Sequence, residues 1–129
     1  MIGEYATSYQ SESSQKSAVV RITDEDGRIG LGNVDPVLGY SVESIEDTLR
    51  ALESRFAPLV LGMDPSNIHL LWQRMAAEAP DYLDAKAAIE MACVDLTARA
   101  LGVPVYSYLG GAVKDHLLFN AWIGILPPR

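Results

Sequence analysis

The stretch that decides the fold is DYLDAKAAIEMACVDLTARALG, residues 81–102. Its apolar residues recur at spacings of three and four, which predicts one long amphipathic helix. Asp81 is a suitable N-cap, and Gly102 is typical of the position that follows the last helical turn. One face of this helix is expected to carry Ile89, Cys93, Leu96 and Ala100. Because the segment is rich in alanine, its backbone can approach a neighbouring element closely.

The residues before this stretch predict another helix, over 41–62. Ser41 or Ser44 is expected to cap its start, and acidic residues follow in the first turn, where they favour the positive end of the helix dipole. Pro58 and Gly62 mark its end. The expected buried positions are Val42, Ile45, Leu49, Leu52 and Phe56.

A second helix and a short final one are also predicted. The second is expected to begin with Asp64 as N-cap and Pro65 as its first residue. Its apolar stripe consists of Ile68, Leu71, Trp72 and Met75. The short helix is opened by Pro104 and stopped by Gly110-Gly111.

The first third of the chain predicts β-structure. Two apolar runs, Ala18 to Ile22 and Ile29 to Leu31, flank an Asp26-Gly27 turn, which is a strong hairpin signal. Residues 2–9 are expected to add a third antiparallel strand, and the Ser-rich residues 10–15 to form a loop. Strands followed by helices indicate an α+β fold: a three-stranded antiparallel meander, then a bundle of three to four helices.

The closing segment, Leu117 to Gly124, is almost wholly apolar and does not alternate. This pattern is typical of a strand covered on both faces, as in a parallel sheet. The residues alone leave two interpretations open. Either the segment packs into the helical cluster or pairs with another copy, or it begins a larger sheet of a longer protein.

Composition excludes several classes. The chain has 129 residues and a formal net charge of -7, with 17 acidic and 10 basic residues, so nucleic-acid binding is not expected. No stretch reaches the roughly 20 apolar residues that span a bilayer, and the first 16 residues do not resemble a signal peptide. No membrane partner is therefore expected. The single cysteine, Cys93, suits a reducing, cytoplasmic location and is interpreted as a buried core thiol.

Three motifs carry a resemblance to a known family. Residues 85–111 contain Asp95-Leu96, then Ala100-Leu101-Gly102-Val103-Pro104, then Leu109-Gly110-Gly111. TDEDGRIGLGN (23–33) and the Gly-x-Asp-Pro and Leu-Trp of LVLGMDPSNIHLLWQRM (59–75) agree in the same order. This combination resembles the N-terminal domain of the enolase superfamily, in its mandelate racemase and muconate lactonizing branch.

The resemblance implies a domain organisation. Residues 1–111 would form the N-terminal capping domain, and residues 112–129 a connector and the first strand of a truncated (β/α)7β barrel. Enzymes of the family use Mg²⁺ to abstract a proton α to a carboxylate, as racemases, cycloisomerases or acid-sugar dehydratases. The carboxylate ligands and the catalytic base lie on barrel strands, so no catalytic or metal residue is expected in this chain. The chain alone is expected to be inactive, and the complete protein to be a homo-oligomer.

The resemblance also implies two substrate-facing loops, about residues 5–16 and 33–40. They would close over a small carboxylate substrate and exclude water. The site candidates are Tyr9, Asn33 and Tyr40. At position 33 the family usually has glutamate after its Gly-x-Gly, whereas this chain has asparagine, so any role of that charge is lost.

Other chemically attractive residues are interpreted as structural. His69 and His116 lack partners at metal-ligand spacing. Glu90 and Asp95 are five positions apart, on different helix faces, so they do not form an acid/base pair. Gly30-x-Gly32 lacks the third glycine and the following helix of a dinucleotide site.

A rival hypothesis belongs to another class. The chain would be a free-standing α+β interaction module that dimerises through the apolar segment Leu117 to Leu126. The two hypotheses differ in whether the reading frame continues after Arg129.

Overall fold

The computed structural model describes residues 5–6, 11–12, 14–37 and 39–120. Two short antiparallel ladders precede five helices, an α+β order as predicted. The strands are β1 (Tyr5–Ala6), β2 (Ser11–Glu12), β3 (Ala18–Thr23) and β4 (Ile29–Val34). The helices are α1 (Ile45–Ala51), α2 (Ala57–Val60), α3 (Ile68–Glu78), α4 (Leu83–Leu101) and α5 (Val105–Tyr108), and a π-helical turn, Leu52–Phe56, joins α1 to α2.

The predicted hairpin is confirmed as the antiparallel pair β3–β4. Its register sets Ala18 opposite Val34 and Thr23 opposite Ile29. Gly27 takes a φ of 79° in the turn, and its N–H donates to the Asp24 carbonyl at 3.1 Å. Burial alternates along both strands, so one face of the hairpin packs on the helices while the other is exposed.

The third strand of the predicted meander is not confirmed. β1 and β2 pair with each other, Tyr5 opposite Glu12, in a ladder separate from β3–β4 within the described residues. Ser11–Glu12 was expected to be loop, and β-pairing of its backbone explains the difference, because ladder hydrogen bonds do not depend on apolar side chains. The other residues before Ser14 lie outside the described part of the chain.

Helix α1 begins as one predicted alternative states, with Ser44 as N-cap accepting from the Asp47 N–H at 3.1 Å. The predicted apolar stripe is partly wrong, because Val42 and Leu49 are exposed. Phe56 is buried as predicted, and Thr48 and Ala51 are buried in addition. The π-helical turn Leu52–Phe56 accounts for the spacing of five positions between Ala51 and Phe56.

The start of α3 differs from the prediction. Asn67 is the N-cap, accepting from the Leu70 N–H at 3.3 Å. Asp64 instead accepts from both the backbone N–H and the hydroxyl of Ser66 in the preceding turn, at 2.9 and 2.7 Å. Its carboxylate is therefore engaged before the helix begins. The predicted stripe of α3 is confirmed at its centre, where Leu71 and Met75 are buried.

The long helix α4 extends over the predicted stretch. Ile89, Cys93 and Leu96 are buried as expected, but Ala100 is exposed. Gly102 ends the helix with a φ of 69°. The predicted cap Asp81 is wrong: the cap position is occupied by Tyr82, at a φ of 62° and without a side-chain capping bond. The core formed by α4 with the preceding helices includes Phe56, Leu71, Met75, Ile89 and Cys93.

After α4 the chain becomes exposed. Pro104 precedes α5 as predicted, and Gly110 and Gly111 follow with positive φ. The predicted barrel strand is not confirmed: Leu117–Asn120 are exposed and outside any strand, and residues 121–124 lie outside the described part. Among the helices of the described residues, none is long and apolar enough to cross a bilayer.

Candidate functional site

Two glycines allow β4 to pack in close contact with α4, and they thereby fix the strand that contains Asn33. A Cβ atom on Gly30 would lie 2.1 Å from the Ala92 carbonyl oxygen, and one on Gly32 would lie 2.0 Å from that of Ala88. These distances are far inside van der Waals contact, so only glycine fits at either position. The Gly-x-Gly of the hairpin thus serves helix packing, with alanines on the other side of the contact.

Asp95 ties the same strand to α4 by a polar contact. Its carboxylate accepts from the Leu31 N–H at 2.9 Å and from Arg99 Nε at 2.9 Å. Burial raises the pKa of this carboxyl, but the bonds from Leu31 and Arg99 outweigh it and hold the pKa below its usual range. Asp95 is therefore an ionised clamp on the edge of the hairpin.

Tyr40 lies on a tight turn, formed by Val37 and residues 39–41, which we call the Tyr40 turn. The N–H groups of Tyr40 and Ser41 both donate to the Val37 carbonyl, at 3.0 and 2.9 Å. The Val37 N–H donates back to the Ser41 hydroxyl at 3.3 Å, and Gly39 supplies a φ of 89°. The Tyr40 side chain is 84 % exposed, so this hydrogen-bonded turn presents a phenol to the outside of the domain.

Glu43 anchors the chain just after the Tyr40 turn. One carboxylate oxygen accepts from the Asp84 N–H at 2.7 Å, and the other accepts from the Thr48 hydroxyl at 3.0 Å. Thr48 is fully buried, and α4 has no cap from its own cap residue. Glu43 therefore caps α4 from a position 41 residues earlier in the chain.

Lys86 is a buried cation close to this anchor. Its side chain is 1 % exposed, and its Nζ donates to the Pro80 carbonyl at 3.0 Å. The same Nζ lies 5.9 Å from the ring centroids of Phe56 and Trp72. Burial lowers the pKa of Lys86, while the carboxylates of Asp81 and Glu43 act in the opposite direction.

The sequence pattern could have located Lys86 but not Glu43. Lys86 is three residues before Ile89 and seven before Cys93, so it continues the buried stripe of α4 and is predictable as a buried lysine. Glu43 has no such signal, because its main partner is remote in sequence. We therefore count both among the residues that the sequence analysis missed.

The predicted substrate-facing residues are only partly visible. Tyr9 lies outside the described residues. Asn33 is exposed on the outer face of β4, opposite Val19, and Tyr40 follows seven residues later on the same connection. The structure thus presents Asn33 and Tyr40 outward from one continuous segment, but it assigns neither of them a ligand.

The other candidates do not form a reactive site in the described residues. His69 is exposed on α3, and His116 contacts only its neighbour Asp115, at 2.5 Å. Burial raises the pKa of the Cys93 thiol to about 11, so it is a poor nucleophile at neutral pH. No group of three or more His, Cys, Asp or Glu side chains in this part of the chain could hold a metal ion. These residues do not fit a Mg²⁺ site.

A groove of about 910 Å³ runs along the inner side of β3. Its walls are mainly apolar and include Val20, Ile22, Leu52, Leu71 and Cys93. Neither Asn33 nor Tyr40 contributes to it. The groove is therefore separate from the predicted substrate-facing surface.

Comparison with known proteins gives a consistent result. The model of the mandelate racemase/muconate lactonizing enzyme N-terminal domain matches residues 4–110. D-galactonate dehydratase from Verminephrobacter eiseniae is 34 % identical over 110 residues, which are 81 % of this chain and 27 % of that enzyme. The chain therefore spans about a third or less of the length of such relatives.

Two solved structures share the fold. N-succinyl Arg/Lys racemase from Bacillus cereus superposes with a TM-score of 0.83 and 31 % identity, over 87 % of this chain and 30 % of the racemase. A dipeptide epimerase from Enterococcus faecalis, in complex with Mg and the dipeptide L-Leu-L-Tyr, gives a TM-score of 0.79 and 31 % identity. That match covers 85 % of this chain and 31 % of the epimerase.

Proposed function

The chain belongs to the mandelate racemase/muconate lactonizing enzyme family, whose N-terminal domain it matches, and on this premise we propose that it is a capping and substrate-specificity domain. The complete enzyme would abstract a proton α to a carboxylate, with Mg²⁺ bound in a following barrel. The described residues do not fit a Mg²⁺ site, so we assign no metal-dependent step to this chain. Its own contribution would be to contact the substrate and to exclude water.

The observation that carries this proposal is the exposed, hydrogen-bonded Tyr40 turn, which follows exposed Asn33 along the chain. A phenol and an amide on a hydrogen-bonded backbone can bind a polar substrate with a smaller loss of conformational entropy than side chains on a disordered loop. Tyr9 is proposed to act from the other capping loop. The substrate would be a small carboxylate, and the relatives suggest sugar acids, N-succinyl amino acids and dipeptides as the classes to examine.

The first test is the reading frame after the Arg129 codon. An open frame of some hundreds of codons, followed by a barrel sequence, is expected. An immediate stop codon would overturn the proposal.

The second test uses the protein encoded by the whole frame. With Mg²⁺ in D₂O it is offered D-galactonate, N-succinyl-L-arginine and L-Leu-L-Tyr, and deuterium uptake at Cα or loss of water is followed by mass spectrometry. We expect turnover of a member of this panel, no turnover by residues 1–129 alone, and a higher KM for Tyr40→Ala. Turnover by residues 1–129 alone would contradict the assignment of the chemistry to the barrel.

A second candidate function is an interaction module that dimerises through its apolar end. Leu117, Leu118 and Phe119 are all strongly exposed, which favours this alternative. Sedimentation of residues 1–129 separates the two: a dimer that a Leu118→Glu change dissociates, together with a stop codon after Arg129, supports the module.

For the complete enzyme we propose a cytoplasmic homo-oligomer.

A further inference from the structure

We propose that Glu43 is a positioning residue that fixes the Tyr40 turn relative to α4. This inference rests on the proposed capping function, because it concerns how the substrate-facing segment is held in place. Glu43 itself is half-buried and would not touch substrate. It would act through the turn that precedes it.

Glu43 lies close to the Tyr40 turn along the chain. It lies two residues after Ser41, which closes the Tyr40 turn through its hydroxyl. These hydrogen bonds join Val37, Tyr40 and Ser41 to one another, and Ser41 is also a β-bridge residue. The carboxylate of Glu43 provides a side-chain link from this segment to a distant element, α4.

Both oxygens of the Glu43 carboxylate accept hydrogen bonds. The Asp84 N–H belongs to the first turn of α4, and Thr48 is a fully buried residue of α1. Both acceptor oxygens are therefore fixed, on two different helices. A carboxylate that holds two helices in this way defines a position as well as contributing stability.

The negative charge of Glu43 also acts on the buried Lys86. Lys86, on the same end of α4, is buried with a carbonyl and two aromatic rings as its near partners. Asp81 and Glu43 are the carboxylates that stabilise its charge. Loss of the Glu43 charge would therefore weaken both the capping of α4 and the stabilisation of the buried Lys86 ammonium. The anchor is in this way linked to the core.

The test is hydrogen exchange on the 129-residue chain. In Glu43→Ala, we expect the amides of Tyr40, Ser41 and Asp84 to exchange about tenfold faster, the factor expected for loss of one charge-assisted hydrogen bond. In Glu43→Gln, exchange should increase less than in Glu43→Ala, because the amide can accept from Asp84 and donate to the Thr48 hydroxyl although it lacks the charge. Glu46→Ala is the matched control, since Glu46 has the same charge but pairs with exposed Lys16.

A merely structural role would give a different pattern. Global destabilisation would accelerate exchange at Cys93 and Leu96 in the core of α4 as much as at Tyr40. Such a uniform increase, or no increase in the Tyr40 turn, would overturn the proposal. If Glu43→Ala does not fold, Thr48→Val removes one of the two bonds with little change of shape, and the same local pattern is expected, at several-fold.

The complete enzyme separates this inference from the proposed function. There, Glu43→Ala should raise KM with little change in kcat, and Glu43→Gln should raise KM less. Local loosening without a change in KM would uphold the anchor and overturn the capping role of the segment. No local loosening in a demonstrably active enzyme would overturn the anchor alone.

Discussion

The seam between the hairpin and α4 and the segment from 112 to 120 contain similar apolar residues, yet they differ completely in burial. In the seam, Ala88, Ala92 and Leu96 are almost fully buried against β4. In the later segment, Leu118 is 94 % exposed and Phe119 is 89 % exposed. Apolar composition alone therefore does not produce a core. What the seam adds is a partner backbone of complementary shape.

The two regions also differ in their polar contacts. Across the seam the Leu31 N–H donates to the Asp95 carboxylate. Within the described residues, no buried side-chain nitrogen or oxygen lacks a hydrogen-bond partner. In the exposed segment, His116 contacts its sequence neighbour Asp115. The seam is thus fixed by shape and by hydrogen bonds together, and the variants below test each separately.

The largest effect is expected from Gly32→Ala. The new methyl group would collide with the backbone of Ala88, which cannot move without displacing α4. We expect a loss of at least about 3 kcal/mol of unfolding free energy, or failure to fold, in chemical denaturation. Gly62→Ala is the control, because Gly62 has a φ of 76° but open space around it, and should cost about 1 kcal/mol. Equal effects of the two changes would show that shape in the seam is unimportant.

Asp95→Asn should have a smaller effect. The amide keeps an acceptor for Leu31 but loses the ion pair with Arg99, at a cost of roughly 1 kcal/mol near neutral pH. Because folding lowers the pKa of Asp95, its contribution is present above the ordinary value of 3.8 and is lost as the pH falls. The difference between wild type and variant should therefore vanish in acid. A difference that persists at pH 2 would contradict this account.

Lys86→Met tests a charge inside the packed region. Burial lowers the pKa of Lys86 in the folded state, so the unfolded chain binds the proton more tightly, and wild-type stability should rise as the pH approaches 10.5. The methionine variant lacks this group, so its stability should have a flatter alkaline slope. Denaturation of both chains in parallel cancels the titration of tyrosines and Cys93. Identical slopes would mean that Lys86 is not desolvated.

Truncation after Gly111 should have the smallest effect on stability. Residues 112–120 are exposed, so their removal should change the unfolding free energy by less than about 0.5 kcal/mol and leave the helical circular dichroism intact. Solubility should increase, because exposed apolar side chains are removed. Loss of folding on truncation would show that the closing segment belongs to the core of this domain.

Local patterns predicted most of the fold. The period of residues 81–102 and the Asp26-Gly27 turn each depend on neighbours within a few positions, and both predictions are confirmed. The errors arise where a remote or unusual contact prevails. The start of α4 was assigned to Asp81, but Glu43 supplies the cap, and the π-helical turn after α1 sets a spacing of five positions between buried Ala51 and Phe56.

The candidate site could be predicted less well than the fold. Asn33 and Tyr40 were selected because residues 33–40 resemble a capping loop of the family. The structure places Asn33 in strand β4 rather than in a loop, and both residues are exposed. Their ligand stays a prediction, since it would lie outside this domain. The anchor at Glu43 could not be found from the sequence, because no periodicity connects position 43 with position 84.

The hydrogen bond between Leu31 and Asp95 has a consequence for synthesis on the ribosome. It joins residues 64 positions apart, so the hairpin leaves the exit tunnel well before α4 does. At bacterial and eukaryotic elongation rates, this delay is roughly 3 to 13 seconds. During translation the nascent hairpin therefore waits with its inner face uncovered, and an early binder such as a chaperone would meet Val20 and Ile22 before α4 does.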